Sequence, residues 1–146
     1  MEQNIYRVIN ESQIDEILED NKQKLVVLMY SAKTCGPCKL FKPKFVALAN
    51  QHKDVLFIYI DRLQFTIGAN KYFKKYESTP TFLYYFGNQE LAYVVGVHET
   101  SIVSTIFTIK QKIEERRQEM MQREKLLEEQ QRHETQKIQL QEKPMN

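Results

Sequence analysis

Hydrophobic and polar positions follow two different patterns along this chain, with a change near residue 110. Before that point, apolar runs of strand length alternate with amphipathic stretches of helical period, which is typical of an α/β domain. After it, charged residues dominate. The pattern predicts these elements in chain order: a short strand within residues 1–9, a helix over 12–20, a strand over 25–30, a helix that ends near 51, a strand over 54–60, a helix over 67–76, strands over 81–86 and 91–95 joined by a turn at 87–88, and a closing helix that includes 102–109.

Two of these segments indicate how the sheet and the helices pack. The run at 25–30 is apolar almost throughout, as expected for a central strand that is covered on both faces. The first helix begins at Ser12, whose neighbourhood resembles a capping box. Within it, Ile14, Ile17 and Leu18 share one face. We therefore expect a mixed sheet with helices on both faces.

The last 37 residues, 110–146, hold nine basic and eight acidic residues and no glycine. The apolar stripe of the closing helix thins along this segment. Its apolar positions are Ile102, Ile106, Ile109, Ile113, Met120, Leu127 and Ile138, and the heptad positions between them hold Arg117, Glu124, Gln131 and Glu134. This is a poor coiled-coil seam.

We therefore expect one domain over 1–109 and a charged helical extension over 110–146. Three interpretations of the extension stay open. It is a charged tail that frays, a coil that forms a weak homodimer or binds a partner helix, or a free-standing solvated helix.

Composition narrows the classes of function. The chain has 146 residues, enough for one domain, and its 21 basic and 19 acidic residues nearly balance. Such a balance gives no signal for binding nucleic acid or a membrane surface. No apolar run approaches the roughly 20 residues that cross a bilayer, and the first nine residues lack a basic and then apolar leader. We expect no nucleic-acid or membrane partner, and a cytoplasmic, reducing location.

Cys35 and Cys38 are the only two cysteines, and they stand between a predicted strand and a predicted helix. In this context a Cys-x-x-Cys pair is typical of redox chemistry. A thiol at a helix N-terminus faces unpaired N–H groups and the positive end of the helix dipole, and both favour the thiolate. Lys33 and Lys39 act in the same direction. Cys35 is the candidate nucleophile and Cys38 the candidate resolving thiol, while Pro37 suits a first turn because its missing N–H costs nothing there.

Three other interpretations of the cysteine pair are weaker. Inert structural cysteines rarely fall in this order at a strand-to-helix junction. A zinc site normally needs four ligands, and the chain has no second Cys-x-x-Cys and only scattered histidines, at 52, 98 and 133. A zinc site shared between two chains stays open. A permanent structural disulfide is unexpected in a chain without a secretory signal, and we expect no resident metal and no cofactor.

The sequence resembles the thioredoxin family over residues 5–109. The residues that support the resemblance are Cys35-Gly36-Pro37-Cys38-Lys39, Pro43, Asp61, Thr79-Pro80-Thr81, Gly87 and Gly96. The resemblance implies a thioredoxin-like fold, a dithiol that reduces protein disulfides, and a thioredoxin-reductase-type electron donor. It also implies that Pro80 is a cis-proline beside the sulfurs, that the backbone of Thr79 pairs with the substrate chain, and that Gly36 and Pro37 lie at the substrate surface.

Four positions depart from the family pattern. Met29 stands where thioredoxins have a buried aspartate that is thought to accept the proton of the resolving thiol. Ser31 and Thr34 match the positions of the family's tryptophans, and Phe57 stands where the family often has a lysine near that aspartate. The dithiol is kept without its usual support for proton transfer, so we expect a slow or substrate-restricted reductase.

Two functions remain as alternatives to a protein-disulfide reductase. The first is a binding or scaffold protein in which the extension mediates association and the dithiol is only weakly active. The second is a glutaredoxin-like, glutathione-dependent reductase, which residues 30–35 resemble. That family prefers C-P-Y-C and a Gly-Gly pair followed by an aspartate, whereas residues 94–99 have one glycine and no such aspartate. A protein substrate is therefore favoured over glutathione.

Overall fold

The structure is a computed structural model that describes residues 4–65 and 71–142. Within these ranges it contains five strands and three helices. In chain order they are β1 (Ile5–Val8), α1 (Glu11–Asp20), β2 (Val26–Ser31), α2 (Gly36–Gln51), β3 (Leu56–Asp61), β4 (Thr81–Phe86), β5 (Gln89–Val95) and α3 (Glu99–Gln141). Contacts within the chain divide it into two compact units, Met1–Ile109 and Lys110–Asn146.

The strands form one mixed sheet in the order β1-β3-β2-β4-β5. β3 pairs in parallel with both β1 and β2, whereas β4 pairs antiparallel with β2 and β5. Every residue of β2 is buried, as the apolar run predicted for a central strand. The predicted α/β fold, with a mixed sheet flanked by helices, is confirmed.

Each face of the sheet has its own core. On one face, Ile14 and Leu18 of α1 join the cluster that includes Leu28 and Ile58. On the other, α2 packs the ring of Phe45 edge-on against Phe57, with centroids 5.3 Å apart. These apolar contacts fix the two helices against opposite faces of β2 and β3 and supply most of the driving force for the fold.

The N-terminus of α1 differs from the predicted capping box at Ser12. The cap is Asn10, whose Oδ1 accepts a hydrogen bond from the amide of Gln13 at 2.9 Å. The side chain of Gln13 returns to accept from the amide of Ile9 at 2.7 Å. Asparagine is as good an N-cap as serine, so Asn10 and Ser12 are both candidates for the N-cap of α1. Asn10 has the extended backbone of an N-cap, and the helix therefore begins directly after it.

The helix predicted over 67–76 is wrong for its described part. Residues 66–70 lie outside the described residues, and residues 71–75 form turns. The rings that suggested a helical face are buried instead by tertiary contacts, since Phe73 stacks on Tyr30 at 4.3 Å. Tyr72 donates its hydroxyl hydrogen to Asp15 of α1, and Lys71 forms an ion pair with the same carboxylate at 2.7 Å. Burial raises the pKa of Asp15, but the hydrogen bonds from Lys71 and Tyr72 outweigh it and hold this pKa below its ordinary value.

The β4–β5 hairpin turns at Gly87 and Asn88, as the sequence predicted. Their φ angles are 59° and 65°, so both residues lie in the left-handed region. A two-residue turn of this kind matches the twist of the flanking strands and favours glycine and asparagine.

α3 contains both the closing helix of the first unit and most of the second. In its first part Ile102, Ile106 and Ile109 are buried. The hydroxyl of Tyr84 on β4 donates to the carbonyl oxygen of Ile102 at 2.9 Å, and burial raises the pKa of Tyr84. The described residues from 114 onward are exposed throughout. None of the helices in the described part combines the length and the apolar character that crossing a membrane requires.

Asn4, just before β1, ties this end of the chain to the end of α2 and to the connection that leads to β3. Its buried amide nitrogen donates to the carbonyl oxygens of Ala49, His52 and Val55 at 2.8, 3.1 and 3.0 Å. These acceptors lie at the end of α2 and in the connection to β3. A single side chain therefore holds the junction between this helix and the following strand in place.

Replacing Asn4 with Ala should lower the free energy of unfolding by about 2–4 kcal/mol, because buried carbonyl groups would lose their donor. Urea unfolding followed by circular dichroism measures the change. Asn50→Ala is the matched control, since Asn50 is exposed on α2. Equal stabilities of the two variants would contradict the role assigned to Asn4.

Candidate active site

The cysteine pair lies at the junction between the central strand β2 and helix α2. After β2 ends at Ser31, the chain turns so that the amide of Cys35 donates to the carbonyl oxygen of Ala32 at 3.0 Å. Cys35 is the N-cap of α2, with extended backbone angles, and its Sγ accepts from the amide of Cys38 at 3.2 Å. The two residues form a disulfide with their Cα atoms 5.3 Å apart. The sulfur of Cys35 thus occupies the place that a capping oxygen usually takes.

The two sulfurs differ in their access to solvent. Cys38 is fully buried on the inner side of α2. Cys35 is half-buried, and the Gly36 and Pro37 that follow it are exposed. Of the two cysteines, Cys35 is therefore the one that a large partner can approach.

The electrostatic surroundings of the pair are positive. The first turn of α2 contains no acidic residue. Lys33 and Lys39 are exposed on either side of the cysteines. Together with the helix N-terminus they stabilise a negative charge on Cys35 once the disulfide is reduced.

The loop before β4 brings a backbone edge to the sulfur. The Thr79–Pro80 peptide bond is cis, as the resemblance implied. The carbonyl oxygen of Thr79 lies 3.5 Å from the Sγ of Cys35. Two hydrogen bonds hold this loop: the hydroxyl of Thr81 donates to the Ser78 carbonyl at 2.7 Å, and the amide of Gly96 donates to the Pro80 carbonyl at 2.8 Å. The structure therefore brings the two cysteines next to Thr79 and Pro80. In the chain, Cys35 and Thr79 are 44 positions apart.

The strand beneath α2 offers no acidic side chain at the expected place. Met29 is fully buried in β2, with Tyr59 of β3 and Phe82 of β4 as its register partners. Phe57, which was expected beside this position, pairs with Val27 instead. The residue next to Met29 is Tyr59, because the register places it two residues further along β3.

The two positions expected to hold aromatic side chains are filled differently. Ser31 is fully buried, and its hydroxyl donates to the carbonyl oxygen of Ile60 at 2.8 Å. Thr34 is exposed but small. Neither presents a large flat surface beside Cys35, so the rim of this site is more open than a tryptophan-lined one.

Within residues 4–65 and 71–142, no three His, Cys, Asp or Glu side chains are arranged to hold a metal ion. Sequence reasoning had recognised Lys33 and Lys39 beside the dithiol, but it missed Arg7 and Lys42, whose cations both lie over the ring of Tyr59.

The chain is similar to known proteins over most of its length. A family model described as Thioredoxin matches residues 6–108. Thioredoxin H2-1 of Oryza sativa subsp. japonica is 32% identical over 108 residues, which cover 73% of this chain and 77% of that protein. Thioredoxin of Geodia cydonium is 35% identical over 89 residues, or 60% of this chain and 82% of that protein.

Solved structures give the same result. The thioredoxin of Fasciola hepatica matches with a TM-score of 0.66 and 29% identity, over 70% of this chain and 97% of that chain. The family match stops at residue 108, so it does not extend into residues 110–146.

Alkylation of the reduced protein should distinguish the two cysteines. Iodoacetamide should modify Cys35 at least about tenfold faster than Cys38, because Cys38 is buried whereas Cys35 is accessible and is the N-cap of α2. Mass spectrometry of peptides from a time course measures both rates. Equal rates in the folded protein, with the urea-unfolded protein as the reference, would show that burial does not separate the two thiols.

Proposed function

Because the chain belongs to the thioredoxin family and is a thiol–disulfide oxidoreductase, we propose that it works as a reductase of protein disulfides, with Cys35 as the nucleophile and Cys38 as the resolving thiol. One observation supports this assignment above the others. The sulfur of Cys35 is half-exposed at the N-terminus of α2, 3.2 Å from the amide of Cys38 and 3.5 Å from the carbonyl of Thr79.

The proposed reaction has two steps and moves two electrons. The Cys35 thiolate attacks one sulfur of the substrate disulfide, a mixed disulfide forms, and the leaving substrate thiolate takes a proton from water. Cys38 then loses its proton and attacks the Sγ of Cys35, which releases the second substrate thiol. The protein is left with the Cys35–Cys38 disulfide, and a thioredoxin-reductase-type donor supplies two electrons to reopen it.

The neighbouring backbone explains why a protein substrate fits. Gly36 and Pro37 leave the approach to Cys35 open, and Thr79 presents a backbone edge beside it. An extended substrate segment can pair with that edge while its disulfide meets the sulfur. Since such a dithiol must be kept reduced, we also propose a cytoplasmic location.

The test is reduction of insulin with dithiothreitol as the recycling donor. The wild-type protein should accelerate precipitation of the insulin B chain, and Cys35→Ser should abolish the acceleration. Titration against glutathione should give a potential on the order of −200 to −270 mV, the range of reductive dithiols. A pair that stays reduced against oxidised glutathione at every ratio would contradict the proposal.

The buried Met29 predicts a slow resolving step, since no carboxylate is placed in β2 to accept the proton of Cys38. Met29→Asp should raise the turnover rate at neutral pH and lower the free energy of unfolding by about 1–3 kcal/mol, because a carboxylate enters an apolar strand. Stopped-flow reduction and urea unfolding measure the two effects. Met29→Asn is the control for polarity without charge. A folded Met29→Asp protein with an unchanged rate would show that another group accepts the proton.

For the extension we propose a role in association, either as a weak homodimer or with a partner helix. Its apolar side chains, among them Met120, Leu127 and Ile138, are exposed along α3. The charged side chains at the other heptad positions limit how tightly two copies can pair.

Removal of residues 119–146 should therefore leave the melting temperature and the redox activity nearly unchanged, because the stripe thins beyond Ile113. Sedimentation over a wide range of concentrations should show dimers of the full-length chain that the truncated chain does not form. A full-length chain that stays monomeric throughout would exclude the homodimer, and a truncated chain that unfolds would show that the extension is needed by the domain.

A further inference from the structure

The dithiol lies in a stretch of the chain that has no acidic residue. From residue 21 to residue 53 there are seven lysines and no aspartate or glutamate. Three of these lysines, Lys39, Lys42 and Lys44, are on α2. Among the described residues, Lys44 forms an ion pair with Glu99 at 2.8 Å, and no ion pair is found for Lys39 or Lys42.

Lys39 and Lys42 lie on one side of α2, because they are three residues apart in a helix. Lys39 directly follows Cys38 in the first turn of α2, and its amide donates to the carbonyl oxygen of Cys35 at 3.3 Å. One turn further, the Nζ of Lys42 lies 4.9 Å from the centroid of the Tyr59 ring. The positive charge therefore continues from the dithiol towards the β3 side of the helix.

Arg7 adds a third cation from a different strand. It is the register partner of Tyr59 in the β1–β3 pair, and its guanidinium carbon lies 5.6 Å from the same ring centroid. A cation over an aromatic ring is attracted by the negative face of the ring, so Tyr59 holds two cations that come from different elements. No carboxylate of the described residues forms an ion pair with either cation.

We propose that Lys39, Lys42 and Arg7 form a basic lane that docks an acidic segment of the substrate protein. The proposal rests on the reductase function above and names the substrate class for the same site. An acidic segment supplies ion-pair partners for cations that have none in the described part of the chain. It is also attracted before contact, since charges act over a Debye length of about 8 Å at physiological salt. The preferred substrates then carry acidic residues near the reducible cysteine.

The geometry sets the spacing that such a substrate needs. Lys42 stands seven positions after Cys35, which corresponds to about 10 Å along α2. An extended substrate covers this distance with about three residues. The acidic side chains should therefore lie within about three to five residues of the cysteine that Cys35 attacks.

Disulfide-containing peptides of matched length provide the test. Each has one intramolecular disulfide, and a block of four glutamates, four glutamines or four lysines starts three residues before or after a cysteine. Full-length protein is reduced, freed of reductant and mixed with each peptide, and alkylation quenches the reaction at set times. At low salt the glutamate peptide on at least one side should react about tenfold faster than the glutamine peptide, and the lysine peptide more slowly. In 1 M salt the differences should nearly disappear.

Charge reversal locates the effect on the protein. Arg7→Glu with Lys42→Glu should abolish the preference for glutamate or turn it into a preference for lysine. The control, Lys24→Glu with Lys53→Glu, changes the net charge equally but lies before β2 and after α2, away from the dithiol, and should keep the preference. If the reversed variant does not fold, Arg7→Gln with Lys42→Gln should still reduce the preference to near parity.

Two further measurements separate this proposal from the reductase function. Reduction of the uncharged hydroxyethyl disulfide reports the dithiol chemistry alone and should be the same in the control variant and the wild type. Fluorescence anisotropy of a labelled, cysteine-free glutamate peptide reports docking to the oxidised protein without any reaction. Equal reaction of all three peptides, or a preference that the control variant loses as fully as the lane variant, would overturn the basic lane. A wild type that reduces no disulfide would overturn the reductase function. In that case the anisotropy experiment would still show whether the basic lane binds an acidic segment.

Discussion

The hydrogen bond from the amide of Cys38 to the sulfur of Cys35 is the contact on which the rest of the site depends. It makes one atom both the cap of α2 and the candidate nucleophile. A helix N-terminus leaves amides without partners, and here the disulfide sulfur of Cys35 accepts a hydrogen bond from one of them. The arrangement holds only because α2 is fixed from behind, by Phe45 against Phe57 and by Asn4 at its far end. Packing that seems remote from the chemistry therefore determines where the sulfur lies.

Much of the fold could be predicted from the sequence because the strongest patterns belong to the most buried elements. The apolar run of β2 and the aromatic run of β4 can be satisfied only inside a sheet, and the Gly87–Asn88 turn follows from backbone geometry. The helix expected over 67–76 was wrong in its described part for the opposite reason. Tyr72 and Phe73 are held by partners on β2 and α1, and spacing along the chain contains no information about such partners.

The candidate site divides in the same way. Cys35, Cys38, Thr79 and Pro80 were readable as motifs, and the structure brings them together. The residue of β3 that lies beside Met29 could not be predicted from the sequence. A shift of the β2–β3 register by two residues keeps the same side chains on the same face of the sheet, so the apolar pattern does not select one register. The structure selects Tyr59 over Phe57. Arg7 and Lys42 both lie over the ring of Tyr59, which no motif indicates.

Net charge proved a poor guide to the surface of this protein. The balance of 21 basic and 19 acidic residues gives no signal for binding nucleic acid or a membrane surface, yet the acids are absent from the whole stretch that contains the dithiol. Whole-chain charge averages over distances far longer than a Debye length, whereas an approaching substrate responds to the few charges within about 8 Å. Because this site has no flanking tryptophans, those few charges are the main feature by which it can select one substrate protein over another. Selectivity then comes from electrostatic attraction and salt dependence, which allows a small, exposed rim to serve a restricted set of substrates.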